Sequence, residues 1–485
     1  MPALSRPEQP RSVELPPRTG TLAAETDVLV VGGGPAGLGA AVGAADAGAR
    51  VVLAERYGFL GGNATAALVM PLMSFHTQKH SREKTGATTL LPTDHGPGDP
   101  IVAGVLKRLL ERLVRSGGAI RPSLETGYVV PFDPEWFKIC ALDLLDEAGV
   151  QFLLHAFAGD VVCEPGDGCR LSGVVFETKS GPMLVRARVI VDCTGDGDIA
   201  ARAGAPFEIG RFDGLTQPMT LMFRMVDFER AAFESYVRAH PKEWRGVHGL
   251  WDLVRKATAA GELELAREDI LFFATPHERE LSVNTTRITR VLGVDVWDLS
   301  YAEWRGRQQM RQIAAFLRKY VPGFERAYVA QSGVTVGVRE TRRIAGDYVL
   351  TADDVLGARK FGDAIARGAY PVDIHNPEGK GTILRHLPPG EAYDIPLRCL
   401  LPHAVDNLLV AGRCISGTHE AHSSYRVMPI VMATGQAAGV CAALAARASR
   451  APRAVPAREV QRELVRQGAS LRKDVLAGAE LAEHS

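Results

Sequence analysis

Gly32-Gly33-Gly34-Pro35-Ala36-Gly37 follows directly on the run Asp27-Val28-Leu29-Val30-Val31. Glycines at that spacing, between a strand and a helix, make a phosphate cradle. Gly32 permits the tight turn, Gly34 lets backbone N–H groups approach a pyrophosphate, and Gly37 lets the helix pack closely on the sheet. Glu55 closes a second apolar run, Arg50-Val51-Val52-Leu53-Ala54, 18 residues past Gly37. A carboxylate there accepts ribose hydroxyls and repels a 2′-phosphate, so FAD or NAD fits better than NADP. A second chemically loaded stretch is His419-Glu420-Ala421-His422-Ser423-Ser424-Tyr425-Arg426. A histidine exchanges its proton near neutrality, and the fixed fork of an arginine holds a carboxylate or enolate. His419, His422 and Arg426 are therefore catalytic candidates. The H-x-x-H spacing has no evident third ligand, so no metal is expected. A third cluster is Arg339, Arg342 and Arg343 around Glu340. Arg339 is the candidate for orienting an anionic substrate group, and at least one arginine is expected to pair with Glu340 or Asp347.

These residues need elements to place them. Two strands and the intervening helix form a βαβ unit, with Gly48 as a helix stop. Helical spacing recurs from Ile101 to Arg115, and a second helix is expected after Asp133-Pro134, ending at Gly149. Short β-branched runs at 150–154, 171–178 and 183–185 suggest a small antiparallel meander. Ala187 to Cys193 returns as an apolar strand ahead of Thr194-Gly195-Asp196-Gly197-Asp198. Another strand, Leu408-Leu409-Val410-Ala411, enters Gly412, and a long helix follows Pro429. The expected organisation is a disordered tail over 1–24, a nucleotide-binding domain over 25–205 that returns at 396–448, a substrate domain over 206–395, and a helical tail over 449–485. Thr85 to Pro100 reads as a mobile loop.

The chain has 485 residues, enough for two cores, and balances 56 basic against 56 acidic side chains. No net field gathers nucleic acid or an anionic membrane, so a small ligand is expected. The seven cysteines include no C-x-x-C pair, so a redox disulfide is not expected and most should be buried thiols in a cytoplasmic protein. Val427 to Ala446 is uncharged and long enough for a bilayer, but it holds Pro429, Thr434, Gln436 and mostly small residues. A buried helix is the better reading.

Three separated segments, the opening fingerprint with Glu55, Asp192 to Asp198, and Asn407 to Arg413 leading to Gly435-Gln436-Ala437-Ala438-Gly439, resemble the glutathione-reductase-like FAD-binding fold. Within it the chain is similar to the broad bacterial FAD-dependent oxidoreductase family. That likeness rests on Gly61 to Thr65, Gly337 to Arg343 and Asp373 to His375. The resemblance implies an α/β architecture: a Rossmann-like FAD-binding domain, parallel sheet plus meander, interleaved with an α+β substrate domain. It implies that Gly32, Gly34, Pro35, Ala36 and Gly37 hold the pyrophosphate and that Glu55 and Arg56 meet the adenosine ribose. Gly61, Gly62, Asn63 and Thr65 would lie along the phosphate and flavin side, and Thr194, Gly195 and Asp196 near the adenosine half. Gly412, Arg413 and Pro429 would reach the ribityl chain and ring. FAD is expected to be non-covalent, although His76 invites comparison with histidines that bond to flavin. Asp373 and His375 stand as entrance, flavin contact or turn-stabilising residues.

The expected activity is hydride transfer from a small polar, carboxylate-bearing metabolite to flavin N5, by oxidation or desaturation. O2, a quinone, NAD(P) or a carrier protein would take the electrons onward. The alternatives are an FAD monooxygenase using NAD(P)H and O2, and a redox-neutral flavin scaffold or isomerase. A homo-oligomer stays open.

Overall fold

The structure is a computed structural model that describes residues 8, 12–78, 90–92, 98–123, 126–165, 169–379 and 381–475. The chain's first strand, β1 (Thr21–Val31), leads through Gly32 into α1 (Pro35–Asp46), and β2 (Val51–Ala54) returns parallel to it, Val28 to Val31 opposite Val51 to Ala54. The strand core of β1 and all of β2 are buried, as expected of a parallel sheet covered on both faces. Helices α2 (Val105–Arg115) and α3 (Pro134–Glu147) pack against α1. Asp133 caps α3 by accepting the Glu135 N–H at 2.7 Å.

Strand β3 (Gln151–Leu153) pairs parallel to β2, while β4 (Phe157–Cys163), β5 (Leu171–Thr178) and β6 (Gly181–Asp192) form the antiparallel meander. Two sequence expectations are thereby corrected. The run at 150–154 belongs to the parallel sheet and not to the meander, whose third strand is β4, a half-exposed segment without clean alternation. The runs on either side of Arg186 and Arg188 are one strand, because that half of β6 keeps a solvated face. There the arginines pair with Glu25 at 3.3 Å and Asp27 at 3.6 Å. The same pairing makes residues 21–24, read as tail, the start of β1, with Thr21 opposite Met183. A short helix, α4 (Asp198–Arg202), follows β6.

The chain then passes β7 (Phe207–Ile209) and builds a second sheet from β8 (Phe223–Val226), β9 (Trp244–Arg245), β10 (His248–Gly249), β11 (Ile270–Ala274), β12 (Glu280–Val283) and β13 (Tyr328–Ser332). Its order is β13-β8-β12-β11-β10-β9, antiparallel throughout. Helices α5 (Arg230–Ala239), α6 (Trp251–Ala259) and α7 (Val296–Tyr320) add Phe233, Val254 and Phe316 to its core. Aromatic rings dominate that core: Phe233 meets Trp244 edge-on with centroids 5.0 Å apart, and Phe228 lies 4.7 Å from Phe324.

On the way back, β14 (Arg342–Ile344) pairs with β7, and α8 (Ala352–Leu356) follows. Strands β15 (Ala364–Gly368), β16 (Val372–His375), β17 (Thr382–Arg385) and β18 (Tyr393–Pro396) then form two ribbons, β15 with β18 and β16 with β17. Apolar residues from Ile344 to Leu401 join the first core, so packing divides the chain earlier than the boundary at 395 read from sequence. The last strand, β19 (Leu408–Val410), lies parallel to the buried end of β6 and completes a seven-stranded sheet.

Helices α9 (His419–Tyr425), α10 (Met428–Arg447) and α11 (Ala457–Arg466) follow. Helix α10 crosses α1 through facing glycines. A Cβ at Gly435 or Gly439 would be driven into the carbonyls of Ala36 or Ala40, and one at Gly39 into that of Met432. Among the described residues α10 alone is long and apolar enough to cross a bilayer, and 94% of its apolar window is buried inside the protein. Five cysteines are buried, whereas Cys163 and Cys169 flank the β4–β5 turn with sulfurs 2.9 Å apart. Most of 85–100, read as a mobile loop, lies outside the described residues.

Candidate functional site

The carboxyl ends of β1, β2, β6 and β19 open into one cleft, and the first turns of α1 and α10 point into it. The glycines of the first turn divide by what surrounds them. Gly32 has φ of 103°, and a Cβ there would lie 2.5 Å from the Cys193 carbonyl; one at Gly37 would enter the Gly32 carbonyl. Those two are demanded by the fold. At Gly34 a Cβ would meet only the Gly62 Cα, at 3.7 Å, so its emptiness faces the cleft. Free N–H groups and the positive helix end gather there, the physical requirement for a pyrophosphate.

Glu55 is buried at the end of β2. Its Oε2 accepts the Gly33 N–H at 2.6 Å and its Oε1 the Tyr57 N–H at 2.9 Å, while burial raises its pKa. The carboxylate thus braces the glycine turn as well as lining the cleft. Arg56 lines it too, beside the Tyr57 ring. Gly62 and Asn63 line the opposite wall, with Asn63 Nδ2 held on the Val338 carbonyl at 3.2 Å. Gly61 and Thr65 stand behind them: the Gly61 N–H donates to Gly33 O at 2.8 Å, and the Thr65 hydroxyl to Leu60 O at 2.7 Å. Their part is to shape the turn.

Asp192, the last residue of β6, is fully buried, and burial raises its pKa. It accepts the backbone N–H and hydroxyl of Thr194, and the N–H groups of Ile199 and Ala200 at 2.9 and 3.0 Å. This clamp presents Thr194 and Gly195 to the cleft. Asp196 is turned away, its Oδ1 accepting from Arg413 and from the Thr341 hydroxyl, each at 2.9 Å. Gly412 (φ 92°) and Arg413 line the cleft from the end of β19, and Pro429 sits in the first turn of α10. Arg413 Nη1 and Arg426 Nε are buried with no hydrogen-bond partner.

The cleft encloses about 1000 Å³ including its mouth. Its two helix ends, open glycine cradle and unpaired guanidinium nitrogens fit an elongated dinucleotide. Gly32, Gly34, Pro35, Ala36, Glu55, Arg56, Gly62, Asn63, Thr194, Gly195, Gly412 and Arg413 all line it; Gly37, Gly61, Thr65 and Asp196 support it from behind.

The catalytic candidates fall in different places. Arg426 lines the cleft. His419 and His422 do not. His419 Nδ1 is bonded to Glu340 Oε1 at 2.8 Å, and His422 is 0% exposed with neither ring nitrogen partnered. Burial, then the charges of Arg426, Arg343 and Arg413, push the His422 pKa well down, so this ring is neutral. Glu340 binds Arg343 at 2.6 Å, and Arg342 binds Asp198 at 3.0 Å, so both arginines are structural. Asp347 pairs instead with Arg453 and, at 3.5 Å, with His403. His76 packs between Phe75 and Tyr128 and is not among the cleft residues.

Arg339 is half-buried and donates through Nη1 to the carbonyl of Pro218 at 2.6 Å and the hydroxyl of Thr220. Burial, then Arg426 and Arg287, lower its pKa to about 9. Arg287, which the sequence reading missed, donates to His375 Nδ1 at 3.1 Å and to the Gly379 carbonyl at 2.6 Å. No local pattern marks it: it follows two threonines in a stretch without a turn or fingerprint. Asp373 accepts the Tyr370 hydroxyl at 2.8 Å and lies 3.9 Å from Arg426. Burial pushes the Asp373 pKa up, but His375 and Arg426 outweigh it and hold the carboxyl below its usual range.

The sequence model of a family described as FAD dependent oxidoreductase matches residues 27–464. Digeranylgeranylglycerophospholipid reductase 1 of Methanopyrus kandleri is 32% identical over 194 residues, 39% of this chain and 43% of that protein. Thiamine thiazole synthase of Methanococcus aeolicus is 29% identical over 180 residues, 35% of this chain and 55% of that protein. The chain thus matches about half the length of these curated relatives. Among solved structures, the flavin-dependent brominase Bmp2 superposes with a TM-score of 0.44 at 14% identity, covering 89% of this chain and 81% of its own. A geranylgeranyl bacteriochlorophyll reductase-like protein of Thermoplasma acidophilum gives 0.42 at 13% identity, covering 88% and 79%.

Proposed function

The chain belongs to the FAD-dependent oxidoreductase family, and on that premise we propose that it oxidises or desaturates a small, polar, carboxylate-bearing metabolite. The reading is carried by one observation: Arg426 lines the cleft with an unpaired buried Nε, and Arg339 is its electrostatic neighbour. Bound FAD would supply a two-electron acceptor. Gly34 and the α1 end would hold its pyrophosphate, and the first turn of α10 would favour negative charge at the ring end. Arg426 and Arg339 would fix a carboxylate so that the reacting carbon faces the cofactor. Asp373 stays ionised beside Arg426, where its carboxylate would balance part of the positive charge. The cleft binds no nucleic acid in this reading, and the protein works in the cytoplasm, as monomer or homo-oligomer.

The test is an anaerobic one: FAD-loaded protein is mixed with carboxylate metabolites, their uncharged analogues and NAD(P)H while absorbance near 450 nm is followed. Bleaching by a carboxylate, with NAD(P)H inert, is the expected result. Bleaching by NAD(P)H, accelerated by an aromatic or other substrate, would replace the reading with an FAD monooxygenase; turnover without spectral change would replace it with a redox-neutral enzyme. Arg339→Ala should raise KM for the carboxylate substrate about tenfold or more with FAD content unchanged, since one charge-assisted contact is lost.

A further inference from the structure

We propose that Cys163 and Cys169 form a reversible thiol–disulfide site, oxidised by exchange with small-molecule disulfides, that fastens the end of β4 to the start of β5 and steadies the approach to β19.

Five of the seven cysteines are buried, and burial raises the pKa of each. Cys163 is exposed and Cys169 half-buried, and their sulfurs stand 2.9 Å apart. A disulfide bond is about 2.05 Å long, so bonding needs the sulfurs to close by only about 0.9 Å. The strands explain the closeness. Cys163 pairs with Leu171 across β4 and β5, and the Glu164 N–H donates to the Arg170 carbonyl at 2.7 Å. The sequence, with no C-x-x-C, gave no sign of this pair, because only the antiparallel return brings positions 163 and 169 together.

Cys169 is tied to a second part of the sheet. It forms a parallel bridge with Val405, and its carbonyl accepts the Asp406 N–H at 3.1 Å. Asn407 then holds both the N–H and the carbonyl of Leu171 through its side chain, each at 2.8 Å. Strand β19 starts at the next residue and leads to Gly412 and Arg413 in the cleft wall. A covalent link at Cys169 therefore reaches the segment that enters this strand.

Exposure divides the roles of the two sulfurs. Burial, then the neighbouring Cys163 sulfur, pushes the Cys169 pKa up to about 12, so Cys169 stays protonated beside a Cys163 thiolate. The Cys163 thiolate, the more accessible sulfur, attacks the small disulfide: one S–S bond forms, one breaks, and a small thiolate leaves. Cys163 no longer carries a negative charge to hold the Cys169 proton. Cys169 then attacks the Cys163 sulfur of the mixed disulfide, and its proton departs with the second small thiol. Two protein thiols are oxidised by two electrons, one small disulfide is reduced to two thiols, and no further reactant is required. In a reducing compartment such a pair rests as the dithiol and is oxidised transiently.

The test is treatment of the FAD-loaded chain with glutathione disulfide, followed by blocking of free thiols, intact mass and peptide mapping. Wild type should lose about 2 Da, map the link to Cys163 and Cys169, and return to its starting mass in dithiothreitol. Cys169→Ser should stop at a glutathione adduct on Cys163, and Cys163→Ser should react about tenfold or more slowly. The oxidised wild type should melt a few degrees above the reduced form at equal FAD content, and its Leu171 and Asp406 amides should exchange hydrogen more slowly. A wild-type chain that retains glutathione as a mixed disulfide, or in which all seven thiols remain free to be blocked, would overturn the site. A link that forms without moving the melt or the amide exchange would overturn the fastening of β4 to β5 and β19.

Discussion

His422 and Arg426 lie four positions apart on one short segment, yet only the arginine reaches the cleft. His422 is sealed with two unpaired ring nitrogens, and an unmade hydrogen bond costs about 1–3 kcal/mol for a buried polar group. His422→Leu is therefore expected to leave thermal stability at pH 7 unchanged or raised, with flavin reduction within a few-fold of wild type. A general base in that place would instead lose about 10²–10⁴ in rate. The pH dependence follows from the depressed pKa. Above the unfolded value of about 6.5 the ring carries no protonation penalty; below it the unfolded chain takes up a proton that the folded one refuses. Wild-type stability should thus fall relative to His422→Leu by up to about 1.4 kcal/mol per pH unit from 6.5 downward, measured by urea unfolding at each pH. Glu340 carries the opposite kind of burden. It is 1% exposed and is satisfied by Arg343, His419 and the Gln217 N–H at 3.0 Å. Arg343→Met should cost about 3–5 kcal/mol, the typical price of stranding one member of a buried pair. Unfolding of that variant at the wild-type midpoint would refute the assignment.

The crossing of α1 and α10 couples the two ends of the cleft, because each helix presents its first turn to the ligand and each rests on the other's backbone through glycine. Gly439→Ala forces a methyl into the Ala40 carbonyl, and neither helix can retreat without moving a cradle. Stability should drop by about 1–3 kcal/mol, the usual cost of overpacking, with FAD affinity falling in the same variant. Thermal melts and flavin content check both. Such elements were legible in sequence where a run of buried apolar residues led into a glycine turn, directly after Val31 and Ala411 and three residues after Asp192. They were illegible where strands were half-exposed: β4 lacks alternation, and the charged residues of β6 looked like breaks because only pairing with β1 shows which face is wet.

The two largest hydrophobic cores are one mostly aliphatic, packed on the mixed sheet, and one rich in aromatic rings, packed on the antiparallel sheet. The cofactor half of the site could be read because each contributing segment carries its own glycine signature. The proposed substrate end could not, since Arg339 and Arg426 come from separated segments and carry no signature of their own. The histidines near Arg426 looked catalytic for the converse reason: proximity in sequence stood in for orientation, and α9 turns them inward onto Glu340 and Tyr425. What every part of the account shares is a dinucleotide seated on the open glycine of the first turn. The decisive measurement is flavin stoichiometry after reconstitution with FAD, in wild type and in Gly34→Val, alongside the melting temperature of each apoprotein. One FAD per wild-type chain, little or none in the variant, and apoprotein melts that agree within a few degrees are predicted. A wild-type chain that refuses FAD, or a Gly34→Val chain that binds it equally well, would contradict the account.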